Sequence, residues 1–449
     1  MKRQGLRIYP HVLPMAERSG VPCEMGWFEV PENRRTSSSR NIEIAFIRFS
    51  TTNPEPGPPI ITLEGGPGAK SIDTCTLRPN RYLDLREFGD SIVLDQRGVG
   101  FARPNLTGPF RMELPLDRVV TEDEYVAEFA RKTAETAAFW RERGVDLHGY
   151  TTQENADDVA ALMEALGYDK FRTNGGSYGS HLSLSVIRRH SERIDRSFIF
   201  MVEGPDDTFK LPSNVETNLT RISRLAASAP ELEGRVPDLK SLIAEVLDQL
   251  RREPAEVDGV VVGEFDVKLI TADRMGDLSF IKKLPALYLG MKAGDFKPWG
   301  ARVKQGRTQA MPNLMTLLMD CASGASAERL RQIREEAKTT LLSDLINLPF
   351  PDVCPALGGP DAGDDFRTPV VSDVPALFAS GTLDGRTPYS NAEAVMKGFS
   401  HKHHILVENA AHQDVMREPE ILALVREFMN GRPVTTTDVR LDFAFEAPT

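Results

Sequence analysis

The sequence has few cysteines and no long apolar run, and each shortage excludes a class of protein. Its 449 residues include 4 cysteines, none in a Cys-x-x-Cys pair, so neither a disulfide scaffold nor a zinc site is predicted. Cysteines this sparse favour buried free thiols in a reducing compartment. No stretch of about 18 apolar residues and no signal peptide is found, which predicts a cytoplasmic protein, or an exported one if a leader was removed.

Basic residues are also in deficit. Lys and Arg number 54 against 65 Asp and Glu, which gives a formal net charge of −11. Because a nucleic-acid binder needs a basic surface to meet the phosphates, no nucleic-acid partner is predicted, and no membrane partner either. With 41% hydrophobic residues the chain can bury a large core, while its oligomeric state is left open.

Short apolar runs alternate with helical patterns in the first two hundred residues. Turn residues bound these runs, and Val159, Leu162 and Leu166 stand at helical spacing between two of them. Strands that alternate with helices favour the α/β class, a mostly parallel sheet flanked by helices. The predicted strands are residues 42–47, 59–63, 91–94, 170–173 and 197–202.

Helical patterns dominate the middle of the chain, after about residue 205. One helix is predicted over residues 242–250, and another from Leu330 to Leu345. Pro and Gly then cluster at 349–363, which predicts a linker. The predicted domains are a core formed by residues 1–204 and 366–449, with strands at 375–379 and 404–407 in its second part, and a mainly helical cap at 205–365.

A G-x-S-x-G motif, Gly175-Gly176-Ser177-Tyr178-Gly179, lies between a predicted strand and a predicted helix. In that context a sharp turn exposes the serine hydroxyl as a nucleophile. Glycines flank such a serine because the turn needs backbone angles that a Cβ would forbid. Ser177 is therefore predicted to be the nucleophile, and the alternative is an incidental serine in a Gly-rich turn.

A nucleophilic serine needs a histidine base and an acid that orients the histidine. On a sheet of this class the chain order is nucleophile, acid, histidine. Asp384 follows the predicted strand 375–379 and His412 follows the strand 404–407, so both stand where catalytic groups gather, past the carboxyl ends of strands. The predicted catalytic triad is Ser177, Asp384 and His412.

Acyl transfer also needs N–H donors for the oxyanion of the tetrahedral intermediate. One is predicted to be the backbone N–H of Tyr178, the residue after the nucleophile. The second is expected from the loop Glu64-Gly65-Gly66-Pro67-Gly68, which follows an apolar strand. A phosphate-binding loop is the alternative, but no Gly-Lys-Ser/Thr sequence is present there.

Three segments carry a family resemblance: Gly65–Gly68, Asp95–Gly100 (Asp-Gln-Arg-Gly-Val-Gly) and Gly175–Ser180. Together they resemble the proline iminopeptidase group of α/β-hydrolases, and most closely its branch related to tripeptidyl aminopeptidases. The resemblance implies an α/β-hydrolase fold with a helical cap and the same triad, with Gly66 and Tyr178 as the oxyanion hole. No metal or organic cofactor is implied, because the triad and two N–H donors suffice for acyl transfer.

The resemblance also bears on other residues. Exported relatives suggest a disulfide between Cys321 and Cys354, as an alternative to free thiols. Asp95 and Arg97 are interpreted as a structural charged pair behind the oxyanion loop. The group usually carries His before Gly-Gly-Pro-Gly, where this chain has Glu64.

The predicted function is an aminopeptidase, proline iminopeptidase-like or tripeptidyl aminopeptidase-like, that cleaves short peptides. The alternative is a carboxylesterase, lactonase or thioesterase with the same triad and a small ester substrate, because a fold does not determine its substrate. An aminopeptidase must hold an ammonium group beside carboxylates. Glu64, beside the oxyanion loop, and Glu203, where the cap begins, are the candidates. The alternative is that Glu64 only braces its loop and Glu203 only braces the cap hinge.

Overall fold

The computed structural model describes residues 5–16, 19–416 and 418–448, and ten strands in this part of the chain form one sheet. Two further described strands form a separate hairpin. The strands are β1 (Leu6–Leu13), β2 (Val21–Pro31), β3 (Asn41–Phe49), β4 (Ile60–Leu63), β5 (Ser91–Asp95), β6 (Phe171–Ser177), β7 (Ile194–Val202), β8 (Ala255–Val257), β9 (Val260–Val262), β10 (Ala376–Gly381), β11 (Lys402–Glu408) and β12 (Asp438–Arg440).

From edge to edge the sheet has the order β1-β2-β3-β5-β4-β6-β7-β10-β11-β12. The pairs β1–β2, β2–β3 and β3–β5 are antiparallel, and all the following pairs are parallel. Strands β4 and β5 are buried along their whole length, which explains their continuous apolar sequence. The mostly parallel sheet is therefore confirmed, and the carboxyl ends of β6, β10 and β11 lie along one edge of it.

Helices connect the parallel strands, and among the described residues no helix has both the length and the apolarity to cross a membrane. The α-helices are α1 (Ser71–Leu77), α2 (Asn80–Leu83), α3 (Glu122–Arg141), α4 (Thr152–Leu166), α5 (Tyr178–His190), α6 (Pro212–Ala227), α7 (Leu239–Arg252), α8 (Glu264–Asp273), α9 (Leu278–Lys292), α10 (Lys297–Thr308), α11 (Leu314–Ser323), α12 (Ala327–Ala337), α13 (Cys354–Leu357), α14 (Asp364–Arg367), α15 (Tyr389–Met396) and α16 (Pro419–Met429).

The segment 205–365, called the insert below, is mostly helical and contains the β8–β9 hairpin. Helix α7 has the apolar face predicted for it. The second predicted helix is shorter than expected, because α12 ends at Ala337 and Leu345 lies in a turn. The Thr340 hydroxyl donates to Glu336 O at 3.1 Å, and such side-chain bonds compete with the helical ones. The domain limits at 205 and 365 stay predictions.

The Pro- and Gly-rich segment 349–363 does not form the predicted linker. Val353 and Leu357 are fully buried in the same apolar cluster as much of α11. Helix α13 packs against α3, and Arg141 of α3 donates a hydrogen bond to Leu357 O. The prolines and glycines therefore shape a packed segment that joins the insert to the core.

Cys321 and Cys354 form a disulfide, with their Cα atoms 5.4 Å apart. The expectation of free thiols is therefore wrong for this pair, and the bond suggested by the resemblance is present. It joins α11 to the start of α13. Cysteine spacing alone could not choose this pairing, because the two residues approach only when the packed segment folds back onto α11.

Candidate active site

Ser177 stands at the sharp turn between β6 and α5. Its backbone adopts φ +56° and ψ −130°, a combination that costs a residue with a Cβ about 1–3 kcal/mol and that clusters at functional sites. The turn is also tightly packed, because a Cβ on Gly179 would lie 1.9 Å from Leu63 O. The strand, turn and helix predicted around Ser177 are all present.

His412 lies between Ser177 and Asp384. Its Nε2 is 2.9 Å from Ser177 Oγ, and its Nδ1 is 2.8 Å from Asp384 Oδ2. The three residues end or follow β6, β10 and β11, so the shared edge of the sheet brings them together. The structure thus joins the three predicted triad residues in one hydrogen-bonded chain.

The environment of Asp384 determines the direction of the hydrogen bonds. Burial alone would raise its pKa, but His412 and the hydrogen bonds from Thr387 hold the pKa of this carboxyl below its usual value. Thr387 donates through its N–H at 2.9 Å and its hydroxyl at 2.8 Å. An ionised carboxylate only accepts, so His412 Nδ1–H donates to it and Nε2 is left to accept from the Ser177 hydroxyl.

A turn of the insert, Arg274–Asp277 between α8 and α9, supports the loops that carry Asp384 and His412. The N–H of His412 donates to Gly276 O at 3.0 Å, and the N–H of Gly385 donates to Met275 O at 3.2 Å. The turn packs closely, because a Cβ on Gly276 would lie 3.0 Å from His412 Cβ. The position of the histidine therefore depends on a backbone segment that carries no recognisable motif.

The loop Gly65–Gly68, called the oxyanion loop below, lies against the nucleophile turn. A Cβ on Gly65 would lie 2.7 Å from Ser177 Cβ, whereas one on the exposed Gly66 would meet no atom within 4 Å. Tyr178 is the first residue of α5, where backbone N–H groups have no acceptor within the helix. Both predicted donor residues therefore lie beside Ser177.

Glu64 does not offer an unengaged carboxylate to a substrate. It is buried, the Tyr82 hydroxyl donates to its Oε1 at 2.5 Å, and an Arg81 nitrogen lies 3.3 Å from its Oε2. Burial and the charge of Glu64 raise the pKa of Tyr82 far above its usual value, so this hydroxyl keeps its proton. These contacts support the alternative, a residue that braces its loop, and substrate binding by Glu64 stays a prediction.

Glu203 lies close to the nucleophile helix, but a lysine matches its charge. Its N–H donates to the Ser180 hydroxyl at 2.8 Å, which ties it to α5. Its Oε2 lies 2.6 Å from Lys210 Nζ, and both side chains are buried. The structure therefore brings Glu203 near the site, as predicted, and engages its carboxylate in an ion pair.

Helix α11 supplies a third carboxylate, Asp320, that no sequence pattern marks. Asp320 is partly buried, and its side chain makes no hydrogen bond or ion pair with the described residues. Burial and, next, the charge of Glu203 raise its pKa to about 7. Burial raises the pKa of Tyr178, and the charges of Asp320 and Glu203 add to this shift, so Asp320 lies within electrostatic reach of the nucleophile turn.

Asp95 and Arg97 do not form the charged pair that the sequence suggested. Arg97 is fully buried and donates to both carboxylate oxygens of Asp158 at 2.8 Å. Asp95 accepts the N–H of Ile72 at 3.0 Å, and burial raises its pKa to about 6. Because Ile72 lies in the first turn of α1, just after the oxyanion loop, Asp95 keeps the structural role with a different partner.

Comparison with known proteins relates this arrangement to a family. A family model described as alpha/beta hydrolase fold matches residues 58–245. Proline iminopeptidases of Neisseria meningitidis (serogroup A) and Neisseria gonorrhoeae are 27% and 26% identical to the chain over 152 residues. Each match covers 34% of this chain and 35% of the relative, so it spans about a third of the length of these relatives.

Solved structures align over most of the chain at low identity. A thermophilic esterase from Thermogutta terrifontis is 16% identical, with 90% of this chain and 98% of the esterase covered and a TM-score of 0.39. A meta-cleavage product hydrolase from Pseudomonas fluorescens is 15% identical, with coverages of 87% and 95% and a TM-score of 0.36. The family model and the strand order of the sheet show that the chain has the α/β-hydrolase fold.

Proposed function

We propose that the protein is a serine hydrolase that takes an acyl group onto Ser177 and passes it to water. The observation that carries the proposal is the hydrogen-bonded chain from Ser177 through His412 to the buried Asp384, at 2.9 and 2.8 Å. In this reaction His412 Nε2 accepts the Ser177 proton as Oγ attacks the carbonyl carbon. Asp384 orients the imidazole and stabilises its positive charge.

The remaining steps use the same groups. The oxyanion of the tetrahedral intermediate accepts hydrogen bonds from the N–H groups of Gly66 and Tyr178. As the intermediate collapses, His412 gives its proton to the leaving group and the acyl group stays on Ser177. Water then attacks the acyl-enzyme with His412 as base, which releases the acid and restores Ser177. The triad and two N–H groups supply every step, so the proposed reaction needs no cofactor.

The proposed substrates are short peptides with a free amino terminus. The support is Asp320, whose carboxylate lies within electrostatic reach of the Tyr178 side chain and makes no hydrogen bond or ion pair with the described residues. An ammonium group that enters a partly buried site needs such an anion beside it. Glu203 adds negative potential there, although Lys210 offsets it. Asp320 thus takes the amine-binding role for which the sequence had suggested Glu64 and Glu203.

An ester substrate is the second candidate, and Lys210 favours it. This lysine neutralises Glu203, and Glu64 is held by Arg81 and Tyr82, so two of the three nearby acids are not open to an amine. If Asp320 serves another purpose, the same triad acts on a small carboxylic ester, lactone or thioester.

Paired substrates separate these two candidates. The expected result is that an aminoacyl-p-nitroanilide is cleaved and its N-acetylated form is not, while p-nitrophenyl acetate is cleaved slowly. A hydrogen bond to a charged group contributes about 1.5–3 kcal/mol, so Asp320→Asn should raise KM for the free amine about 10- to 100-fold. The neutral ester should be almost unaffected in the same variant.

The control is Asp258→Asn, in the exposed turn between β8 and β9, which should change neither substrate. Equal kcat/KM values for the free and acetylated amides would contradict the aminopeptidase and support the esterase. A wild type that turns over every substrate no faster than Ser177→Ala would refute the hydrolase itself.

The Cys321–Cys354 disulfide bears on where the protein acts. Disulfides persist in oxidising compartments and are rare in the cytoplasm. We therefore propose the exported alternative of the sequence prediction in place of the cytoplasmic one. Alkylation of thiols at the moment of lysis should leave Cys321 and Cys354 unlabelled in the native host, and labelling of both would return the protein to a reducing compartment.

A further inference from the structure

Helix α11 of the insert contacts the oxyanion loop through Thr316. The Thr316 hydroxyl donates to Pro67 O at 2.7 Å. A Cβ on Gly68 would lie 1.9 Å from the same hydroxyl oxygen. The hydroxyl therefore fills the space that a side chain at position 68 would need. The contact between the loop and α11 thus requires a residue without a Cβ at position 68.

The oxyanion loop has few restraints of its own. Pro67 stands between Gly66 at φ +74° and Gly68 at φ +87°, and glycine gives the backbone access to many other conformations. The N–H of Ala69 donates to Gly66 O at 2.9 Å, which closes a turn. The hydrogen bond from Thr316 holds the next carbonyl, that of Pro67, and so restrains the peptide between positions 67 and 68.

Helix α11 is a firm support for this contact because it is tied down at both ends. At its start, Asn313 donates to Gly98 O at 3.0 Å. At its end, the Ser323 hydroxyl lies 3.2 Å from a ring nitrogen of His181 and 3.0 Å from the Thr152 hydroxyl, both buried side chains of the core. The disulfide of Cys321 adds a covalent tie. Thr316 is thus held in a set position relative to α5 and Ser177.

We propose that Thr316 is a positioning residue for the oxyanion hole. Its hydroxyl keeps the oxyanion loop in the conformation that directs the Gly66 N–H toward the oxyanion formed at Ser177. The inference rests on the proposed hydrolase function and does not depend on whether the substrate is a peptide or an ester. Because the oxyanion exists only in and near the transition state, loss of this support lowers kcat and leaves KM nearly unchanged.

The test replaces Thr316 by valine, which keeps the shape and removes the donor. Complete loss of one oxyanion donor costs about 100- to 1,000-fold in kcat, and a misdirected donor should cost less, about 10-fold. We expect that decrease with p-nitrophenyl acetate and with an aminoacyl-p-nitroanilide alike, with KM within about twofold of the wild type. Thr316→Ser keeps the hydroxyl and should retain most of the activity.

A matched control is Thr220→Val on α6, since among the described residues the Thr220 hydroxyl bonds only to Glu216 O of its own helix and to Lys240. It should leave kcat unchanged. A boronic acid that mimics the tetrahedral intermediate should bind Thr316→Val about 10-fold more weakly, whereas a product of the reaction should bind equally well. A merely structural role for Thr316 would lower the unfolding temperature without this selective loss.

Wild-type kcat in a folded Thr316→Val protein would overturn the inference, as would an effect on KM alone. If the valine variant does not fold, Thr316→Ser and Thr316→Ala are compared, and equal kcat values in these two would overturn it as well. Failure of the hydrolase proposal has a different signature, since the wild type would then show no turnover that depends on Ser177.

Discussion

The turn that carries Ser177 and the insert that supports the rest of the site can be compared through their glycines. At Gly179 the missing Cβ makes room for Leu63 O, at the end of β4 beside the same turn. At Gly276 it makes room for His412, which lies on a loop of the core far along the chain. The first glycine belongs to a motif of five residues, and the second has no motif around it. Both are required by close packing, the first against the end of β4 and the second against His412 and Arg386.

This difference has a consequence for how the two regions respond to change. The turn that carries Ser177 is determined by local sequence, and a substitution of Ser177 itself removes the attacking hydroxyl. The insert contacts the site through the backbone carbonyls of Met275 and Gly276 and through the Thr316 hydroxyl. A substitution there displaces His412 or the oxyanion loop but leaves these groups in the protein. The predictions below test this contrast.

The largest effect is expected at the nucleophile. Ser177→Ala removes the attacking oxygen and should lower kcat by about 10⁴- to 10⁶-fold, because the triad acts as a unit. The measurement is the hydrolysis of p-nitrophenyl acetate, together with labelling by a fluorophosphonate. The control is Ser185→Ala, which changes a buried serine of α5, the helix that follows Ser177. This variant should stay active and be labelled. Labelling of Ser177→Ala at the wild-type rate would show that another residue is the nucleophile.

A smaller effect is expected at the turn of the insert. In Gly276→Ala the new Cβ would lie 3.0 Å from His412 Cβ and 2.9 Å from the Arg386 side chain. Arg386 can move aside, but the histidine must shift, and a displacement of about 1 Å can cost on the order of 100-fold. We expect kcat to fall about 10- to 100-fold.

Gly306→Ala on α10 is the matched control, since a Cβ there would meet no atom within 4 Å. It should keep full activity and gain about 0.5–1 kcal/mol in the free energy of unfolding. Equal activities of the two variants would mean that the insert does not position His412.

The pH dependence of substrate selection should reveal Asp320. Its pKa of about 7 means that the carboxylate is charged above pH 7 and attracts an ammonium group, and is protonated and neutral below. The ratio of kcat/KM for a free-amine substrate to that for a neutral ester cancels the pH effects that both substrates share. We expect this ratio to fall up to about tenfold for each pH unit below 7, and to fall again above about 8, where the peptide amine loses its proton.

The Asp320→Asn variant should lose the acidic limb of this profile and keep the basic one. If the fall in the ratio below pH 7 persists in the variant, a group other than Asp320 is responsible for it.

The smallest effect on activity is expected from the disulfide. Replacing Cys321 and Cys354 by serine opens a loop of 33 residues, which should lower the free energy of unfolding by about 3–4 kcal/mol. Because α11 is also held by Asn313 and Ser323, kcat at 25 °C should change less than twofold. Denaturant unfolding and kcat measured on the same preparation check both parts. A kcat loss as large as that of Thr316→Val would make the disulfide the main support of α11.

The core of the fold and the grouping of Ser177, Asp384 and His412 could be predicted because their signals are local. Apolar runs, turn residues and G-x-S-x-G each lie within a few positions, and chain order then led to Asp384 and His412. The antiparallel strands β1 and β2 carry mixed polar and apolar residues on an exposed edge, so no clear alternation marks them. The length of α12 was overestimated because the apolar spacing continues past Ala337, where the helix ends. There the hydroxyls of Thr339 and Thr340 both donate to Glu336 O.

The supporting residues of the site could not be predicted, because their roles depend on contacts between distant parts of the chain. Thr387 lies in the stretch that carries Asp384, and its place three residues after the acid is a weak signal for a hydroxyl that holds a carboxylate. Asp320 and Thr316 share one face of α11 at a spacing of four, but many insert residues have that spacing. Only the packing of α11 against the core identifies them.

The hydrogen bonds from His412 and Gly385 to the Met275–Gly276 carbonyls also constrain how a substrate can arrive. A cap that swung open as a hinged lid would break both bonds and expose the acid and the histidine to bulk water. Because these bonds join the Arg274–Asp277 turn to the loops of Asp384 and His412, we expect a substrate of the proposed hydrolase to reach Ser177 while this turn stays in place.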